Sequence, residues 1–309
     1  MPEDYDKLTG LPSRANLESA ILEQIPMLVM EVSISPPDGV PYSVVLFDVD
    51  YFKAINDLYS HPQGDVALRS IAEVLLGIQK QKAELGLLGR WGGEEFLIAL
   101  PRVLGKTAVG LAESIRQLIS EKHIPSAQES HKFDQKITVS MGVHSVDLVD
   151  LLDDCARKSV GKPLVIDEQV DKKVLEQIPK NDLYNYFKKL VGPADVALNY
   201  AKFLGRNRVA KFDHFIKREM RNIDDTRKLY FQYSRIPTGS NPIFNDSYLQ
   251  KAKPLLNKLR RHFAIICSEV HERDTRSQAM FADNLYRLVL TLNSEQKKQY
   301  LTFVHHYVR

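Results

Sequence analysis

Two adjacent glutamates, Glu94 and Glu95, follow two adjacent glycines in the stretch GRWGGEEFLIAL, Gly89 to Leu100. Neighbouring like charges repel, so a tight turn that carries them either leaves them in water or gives them a cation. A second acidic group closes the apolar run YSVVLFDVD, where Asp48 and Asp50 flank Val49. On a strand, those two carboxylates share one face. Solvent-exposed caps would explain the pair, and so would oxygen ligation of Mg²⁺, which takes one or two carboxylates together with phosphate oxygens. Glu94 and Glu95 would then supply a further carboxylate. Gly92 and Gly93 would permit positive φ and let a ligand approach the backbone. A plain turn needs one glycine, and the pairing with Asp48 favours the metal.

The polar stretch YFKAINDLYSHPQGD adds Lys53, Asn56, His61 and Asp65 within one loop and helix start. Lys53 beside a metal could neutralise phosphate. Asn56 and Asp65 could read a base edge, since a carboxylate accepts the paired N–H donors of guanine and does not match adenine. A solvated loop with a helix cap explains the same residues, and His61 fits a turn residue before it fits a ligand. Lys202 and Arg206, in AKFLGRNR, could clamp phosphates or simply satisfy a helix C-terminus.

The elements that must position these groups follow from periodicity. Tyr42 to Asp50 is a short continuous apolar run, a buried strand that delivers acids at its end. In GDVALRSIAEVLLGIQKQ, Val66, Leu68, Ile71, Val74 and Leu75 fall at helical spacing. LGLLGRW and EFLIALP bracket Gly92-Gly93 as a β-hairpin. KTAVGLAESIRQLISE is a second amphipathic helix and KITVSMGVHSV another strand. PADVALNYAKFLGRN places Pro193 near a helix start and Gly205 at its stop, and RVAKF could close the sheet. The order β-α-β-β-α-β predicts an α+β domain, with helices on one face of a mainly antiparallel sheet. The mixed-charge segment from about 148 to 182 interrupts that order as a partly helical insertion.

A chain of 309 residues with 44% hydrophobic and 26% charged residues fits a globular protein of two domains. Its net charge of +3 is unevenly spread: residues 215–309 hold 17 Lys+Arg against 9 Asp+Glu, a balance of +8, leaving −5 for the first 214. Two units with different partners are expected. With Cys155 and Cys267 as the two cysteines, no disulfide framework is expected, which fits a reducing compartment. The N-terminus shows no secretory signal and no apolar run spans a membrane, so a cytoplasmic location is expected. After residue 213 the sequence becomes basic and helical. Leu255, Leu256, Leu259, Phe263, Ile266 and Val270 form one apolar stripe, followed by stripes through Leu285–Leu292 and Tyr300–Val308. Three stripes need one another, so residues 214–309 are expected to form a small all-α helical bundle that regulates or dimerises the first domain or takes a protein partner. Its aromatics fall at core positions, which disfavours nucleic acid.

The motifs DKLTGLPSR (Asp6–Arg14), FDVDYFKAINDLYSHPQGD (Phe47–Asp65), RWGGEEF (Arg90–Phe96), ITVSMGV (Ile137–Val143) and ADVALNYAKFLGRNRV (Ala194–Val209), in this order, resemble the GGDEF domain of diguanylate cyclases. The likeness covers about residues 4–213, leaving the 148–182 insertion unmatched, and implies a nucleotide-cyclase palm-like fold over residues 1–213. It implies that Asp48, the main-chain carbonyl of Val49 and Glu94 ligate Mg²⁺, with Mn²⁺ as an alternative. Glu95 would assist the metals or take the proton from the ribose 3′-OH. Asn56 and Asp65 would bind guanine, with His61 in the same substrate-binding loop. Lys53, the main-chain N–H groups of Tyr51 and Phe52, Lys202 and Arg206 would hold the triphosphate.

The implied activity condenses two GTP into cyclic di-GMP and two diphosphates across a homodimer. The alternative is a catalytically silent GGDEF domain that binds GTP or a cyclic dinucleotide for signalling. A third possibility keeps the enzyme and changes its product to another cyclic dinucleotide, against which Asp65 argues. This sequence departs from the family's pattern at Ala83 and Gly86, where an inhibitory Arg-x-x-Asp is frequent, at Ser60, usually glycine, and at Asn199, often tyrosine. Product inhibition at that surface is therefore expected to be weak. The sequence shows no sensor domain ahead of residue 1, so regulation is expected in the C-terminal part.

Overall fold

The computed structural model describes residues 4–32, 39–81, 86–128, 133, 136–218 and 220. The chain divides into two units, the first comprising Met1–Ala201 and Arg206–Asp213. The helical bundle expected over 214–309 lies outside the described residues, apart from a helical stretch at 214–218 and Met220.

The first unit is built on a five-stranded sheet. β1 (Pro41–Val49) is its centre, with every residue after Pro41 buried. β1 pairs antiparallel with β3 (Glu95–Pro101) on one side and with β4 (Val139–Asp147) on the other. β2 (Leu87–Arg90) forms the expected hairpin with β3, and β7 (Val209–Lys211) runs parallel to β4. The sheet is mixed, in the order β2-β3-β1-β4-β7.

Strand alternation sends β1 side chains to two separate cores. Val45, Phe47 and Val49 pack with Phe96, Ile98 and Leu100 against α3 (His61–Gln81) and α4 (Gly105–Glu121). Phe47 and Phe96 stack with ring centroids 5.2 Å apart. Tyr42, Val44 and Leu46 point the other way, into a core with α1 (Arg14–Met30), α5 (Leu148–Ser159), α6 (Lys172–Glu176) and α7 (Lys180–Phe203). The sheet is therefore sandwiched on both faces, not covered on one as the element order suggested. The fold class remains α+β.

The segment near 148–182 supplies part of that second layer, beside α1 and the rest of α7. It forms α5, the short hairpin of β5 (Val165–Ile166) and β6 (Gln169–Val170), α6 and the start of α7. Leu148, Leu152, Ala156, Leu164 and Leu175 are buried in the second core. Each fully buried aliphatic side chain stabilises by about 1.5–3 kcal/mol, so this segment is part of the domain's second layer. Pro193 is also placed differently from the sequence expectation: it lies well inside the 24-residue α7. Gly205, at φ 111°, does end the helical run.

Candidate active site

The acids meet where β1 ends. Asp48 stands directly opposite Glu95 in the antiparallel register, and the Val49 N–H donates to the Glu94 carbonyl at 3.2 Å. Two strands therefore bring the acids of two distant motifs side by side. Asp48 is 8% exposed, while Glu94 and Glu95 are half-buried. Like charges directly opposite on neighbouring strands are destabilising. Such an arrangement suits a cation held by hard oxygen donors. Among the described residues, no three of His, Cys, Asp and Glu gather into a ready-made metal cluster. Two carboxylates, a main-chain carbonyl and ligand oxygens are nonetheless a donor set that fits Mg²⁺, which keeps several waters when bound.

Asp50 takes a different part from Asp48. Strand β1 has ended, and the buried Asp50 carboxylate accepts from Thr138 Oγ1 at 2.8 Å, Ser140 Oγ at 2.7 Å and the Asn207 N–H at 3.0 Å. It fastens the end of β1 to β4 and to the turn before β7. In that turn Arg206 (φ 68°) and Asn207 (φ 47°) are both left-handed, at a cost of about 1–3 kcal/mol each. Arg116 also supports the turn, donating to Asn207 Oδ1 at 2.5 Å. The Arg206 guanidinium, buried, lies 4.6 Å from the ring centroid of exposed Tyr51. Tyr51 is itself left-handed (φ 56°, ψ 27°) at the entry to α2 (Phe52–Tyr59). Two strained corners are thus stacked together beside the acids of β1.

The glutamate turn is fixed from behind by Arg90. Its Nη1 donates to both carboxylate oxygens of Asp6 at 3.0 Å, while Nε and Nη2 donate to the Gly93 carbonyl at 3.1 and 2.6 Å. A charge-assisted guanidinium–carboxylate pair carries geometric specificity as well as energy. Burial pushes the Asp6 carboxyl up, but hydrogen bonds from Thr9 and Arg90 outweigh it and hold the group below the ordinary carboxylate range. The Arg90 N–H donates to the Pro12 carbonyl at 3.0 Å, and the Arg14 guanidinium lies over Trp91 at 4.3 Å. The stretch from Asp6 to Arg14 is therefore a brace for the hairpin. The sequence signals this pairing only by an acid and a base in separate motifs, which does not join Asp6 to Arg90.

Gly92 and Gly93 do not have positive φ. An added Cβ at Gly92 would lie 2.6 Å from Glu95 Oε2, whereas at Gly93 it would meet open space. The first glycine accommodates its own glutamate and the second keeps the turn uncovered.

The base-reading candidates sit at the corner between α2 and α3. Asn56 is half-buried and Asp65 exposed. A Cβ at Gly64 would lie 2.0 Å from Asn56 Oδ1, so the amide is laid against Gly64, next to Asp65 in sequence. Asn56 Oδ1 is buried without a hydrogen-bond partner. Lys53 and His61 are exposed on α2 and at the start of α3. Phe52 packs partly against the first core, and Lys202 lies in the last turn of α7. Ala83 lies outside the described residues. At Gly86, a Cβ would meet Pro101 Cδ at 2.4 Å and the Ala99 carbonyl at 2.5 Å, so a larger residue does not fit there without displacing β3.

Residues 3–155 match the family model described as diguanylate cyclase, GGDEF domain, and the match ends within α5. Over 102 residues the chain is 41% identical to diguanylate cyclase DgcM of Escherichia coli K12, covering 33% of this chain and 22% of that one. Over 142 residues it is 36% identical to the probable diguanylate cyclase DgcF of the same organism, covering 46% and 40%. The chain thus spans less than half the length of these curated relatives. The solved GGDEF domain of DgcB from Caulobacter crescentus, in complex with c-di-GMP, is 24% identical, with 68% of this chain and 96% of that one covered and a TM-score of 0.46.

Proposed function

We infer that this chain, which belongs through residues 3–155 to the GGDEF family of diguanylate cyclases, condenses two GTP into cyclic di-GMP and two diphosphates. The observation that carries this proposal is the meeting of Asp48 with the intact Gly-Gly-Glu-Glu turn, in register and braced by Arg90. Asp48, the Val49 carbonyl and Glu94 would hold a divalent cation, Mg²⁺ or Mn²⁺, which when bound polarises phosphate oxygens and lowers the pKa of a ligated hydroxyl. Glu95, opposite Asp48, accepts the proton of the ribose 3′-OH. Lys53, the main-chain N–H groups of Tyr51 and Phe52, Lys202 and Arg206 bind the triphosphate. Stacking on Tyr51 limits the freedom of Arg206 before substrate arrives, which reduces the ordering cost of binding. Asn56 and Asp65 receive guanine, with His61 at the rim.

One such site holds one GTP, and the product needs two. Two copies facing each other supply both reacting ends, so the active species is a homodimer. Residues 1–213 carry the cyclase function, and the basic stretch 214–309 sets how often two sites meet or engages a protein partner. Among the described residues no helix is long and apolar enough to cross a membrane.

Purified protein incubated with Mg²⁺ and GTP is expected to yield cyclic di-GMP, resolved by chromatography, with no cyclic product from ATP alone and none after chelation by EDTA. Absence of product from GTP across a range of protein concentrations would overturn the assignment.

Gly64→Ala tests the base site. The new methyl meets Asn56 Oδ1 at 2.0 Å and Phe52 Cζ at 3.0 Å, so the Asn56 amide must turn away and the Phe52 ring give slightly. Alanine is, however, the better helix former by about 1 kcal/mol. The melting temperature should hold or rise while KM for GTP increases about tenfold or more, the equivalent of one good hydrogen bond lost. An unchanged KM would show that Asn56 does not contact the base.

A further inference from the structure

Ser60 joins α2 to α3 in a conformation, φ 96° and ψ 158°, that is essentially reserved for glycine. Serine ahead of a helix is usually a cap whose hydroxyl accepts an N–H from the first turn. Here that use is closed. Pro62 offers no N–H, and the Gln63 and Gly64 N–H groups donate to the Ser60 main-chain carbonyl at 3.1 and 3.3 Å. The hydroxyl is left buried without a partner.

Asn56 Oδ1 is the other buried side-chain polar atom without a partner among the described residues. The two belong to one corner: the Ser60 N–H donates to the Asn56 carbonyl at 2.9 Å, and Gly64, against which the Asn56 amide lies, donates to Ser60. Buried polar groups are nearly always hydrogen-bonded, and those that are not call for a missing partner. Both oxygens are covered by the protein's own atoms in this structure, so a ligand with a polar edge meets these two unmet groups only where the corner between α2 and α3 opens to admit it.

We propose that Ser60 is a further specificity-determining residue, whose hydroxyl hydrogen-bonds the purine base beside Asn56. This rests on the base-binding role given above to Asn56 and Asp65. Asn56 Oδ1 accepts from a base N–H, and the Ser60 O–H, free to rotate, donates to an adjacent acceptor on the same base. A purine with a keto group offers donors and acceptors side by side, which an amino purine does not offer in the same order. The hydroxyl thereby contributes to the choice of guanine over adenine.

The test measures binding of a non-hydrolysable GTP analogue, the matching ATP analogue and inorganic tripolyphosphate by calorimetry, with melting temperatures of the free proteins. Ser60→Ala keeps the strained backbone and removes only the hydroxyl. It should weaken GTP-analogue binding about tenfold, narrow the GTP-to-ATP preference and leave tripolyphosphate binding and melting temperature unchanged. Ser60→Gly should show the same loss of affinity with a melting temperature higher by roughly 2–6 °C, because the strain is relieved. Wild-type affinity in both variants overturns the proposal, as does an equal loss for tripolyphosphate, which would assign the effect to general distortion. A wild-type protein that binds no GTP analogue overturns the parent function as well, and so separates the two failures.

Discussion

Glu94→Ala and Asp48→Ala are each expected to reduce cyclic di-GMP synthesis by roughly 10²–10³-fold or more, the effect of removing one preorganised group that stabilises transition-state charge. The scaffold should survive both changes. The link from Val49 to residue 94 uses the main-chain carbonyl, which alanine retains, and the Arg90 bonds end on Asp6 and the Gly93 carbonyl. Replacing Asp48 also removes one of two like charges placed opposite each other across the strands. Both variants should still unfold in one cooperative transition when heated without divalent cation. Product formation and thermal unfolding measured on the same preparations check both halves. Turnover near the wild-type level in Glu94→Ala would remove it from the metal site. A large fall in melting temperature would instead assign Asp48 a structural role.

The largest effect on stability is expected at Gly142, in the middle of β4. A Cβ there would lie 2.0 Å from the Ala194 carbonyl oxygen, 2.3 Å from the Leu198 N and 2.9 Å from its Cα. These are backbone atoms one helical turn apart in α7, so no side-chain rotation relieves the clash. Either α7 lifts from the sheet or β4 leaves its place between β1 and β7. Overpacking commonly costs about 1–3 kcal/mol, and a backbone collision falls at the upper end of that range. For Gly142→Ala this corresponds to a fall of roughly 6–12 °C in melting temperature for a domain of this size. Calorimetry or circular dichroism would measure it. The helix also leads into the Arg206 turn, so the folded fraction should show a raised KM for GTP. A melting temperature within a degree or two of wild type would show that α7 is not seated on Gly142 as described.

Much of the site was legible because its signals are local. A continuous apolar run ending in Asp48, two glycines before two glutamates, and a polar stretch from Lys53 to Asp65 each declare a strand end, a turn and a helix entry without reference to the rest of the chain. The hairpin of β2 and β3 and the helices α3 and α4 followed from periods of two and 3.6 for the same reason. Pro193 shows the limit of such rules: as a start signal it suggested a short helix, but packing of Phe187, Leu190, Val191 and Ala194 in the second core carries α7 through it.

What the sequence by itself determined is therefore the set of chemical groups, their order and the strand and turn that carry the acids. Tertiary structure decided which partners each group meets. Asp48 and Asp50 are alike in type and two residues apart, yet Asp50 is committed to Thr138, Ser140 and Asn207, donors 88, 90 and 157 residues away. Asp6 finds Arg90 across 84 residues and turns a remote loop into the brace of the glutamate turn. Ser60 looks like an ordinary helix cap until its backbone angles and the unmet hydroxyl are seen together. A hydrogen bond is satisfied by whichever donor the fold brings within about 3 Å. Sequence spacing reports that distance only within an element or a single turn; beyond them, the packing of both faces of the sheet sets it.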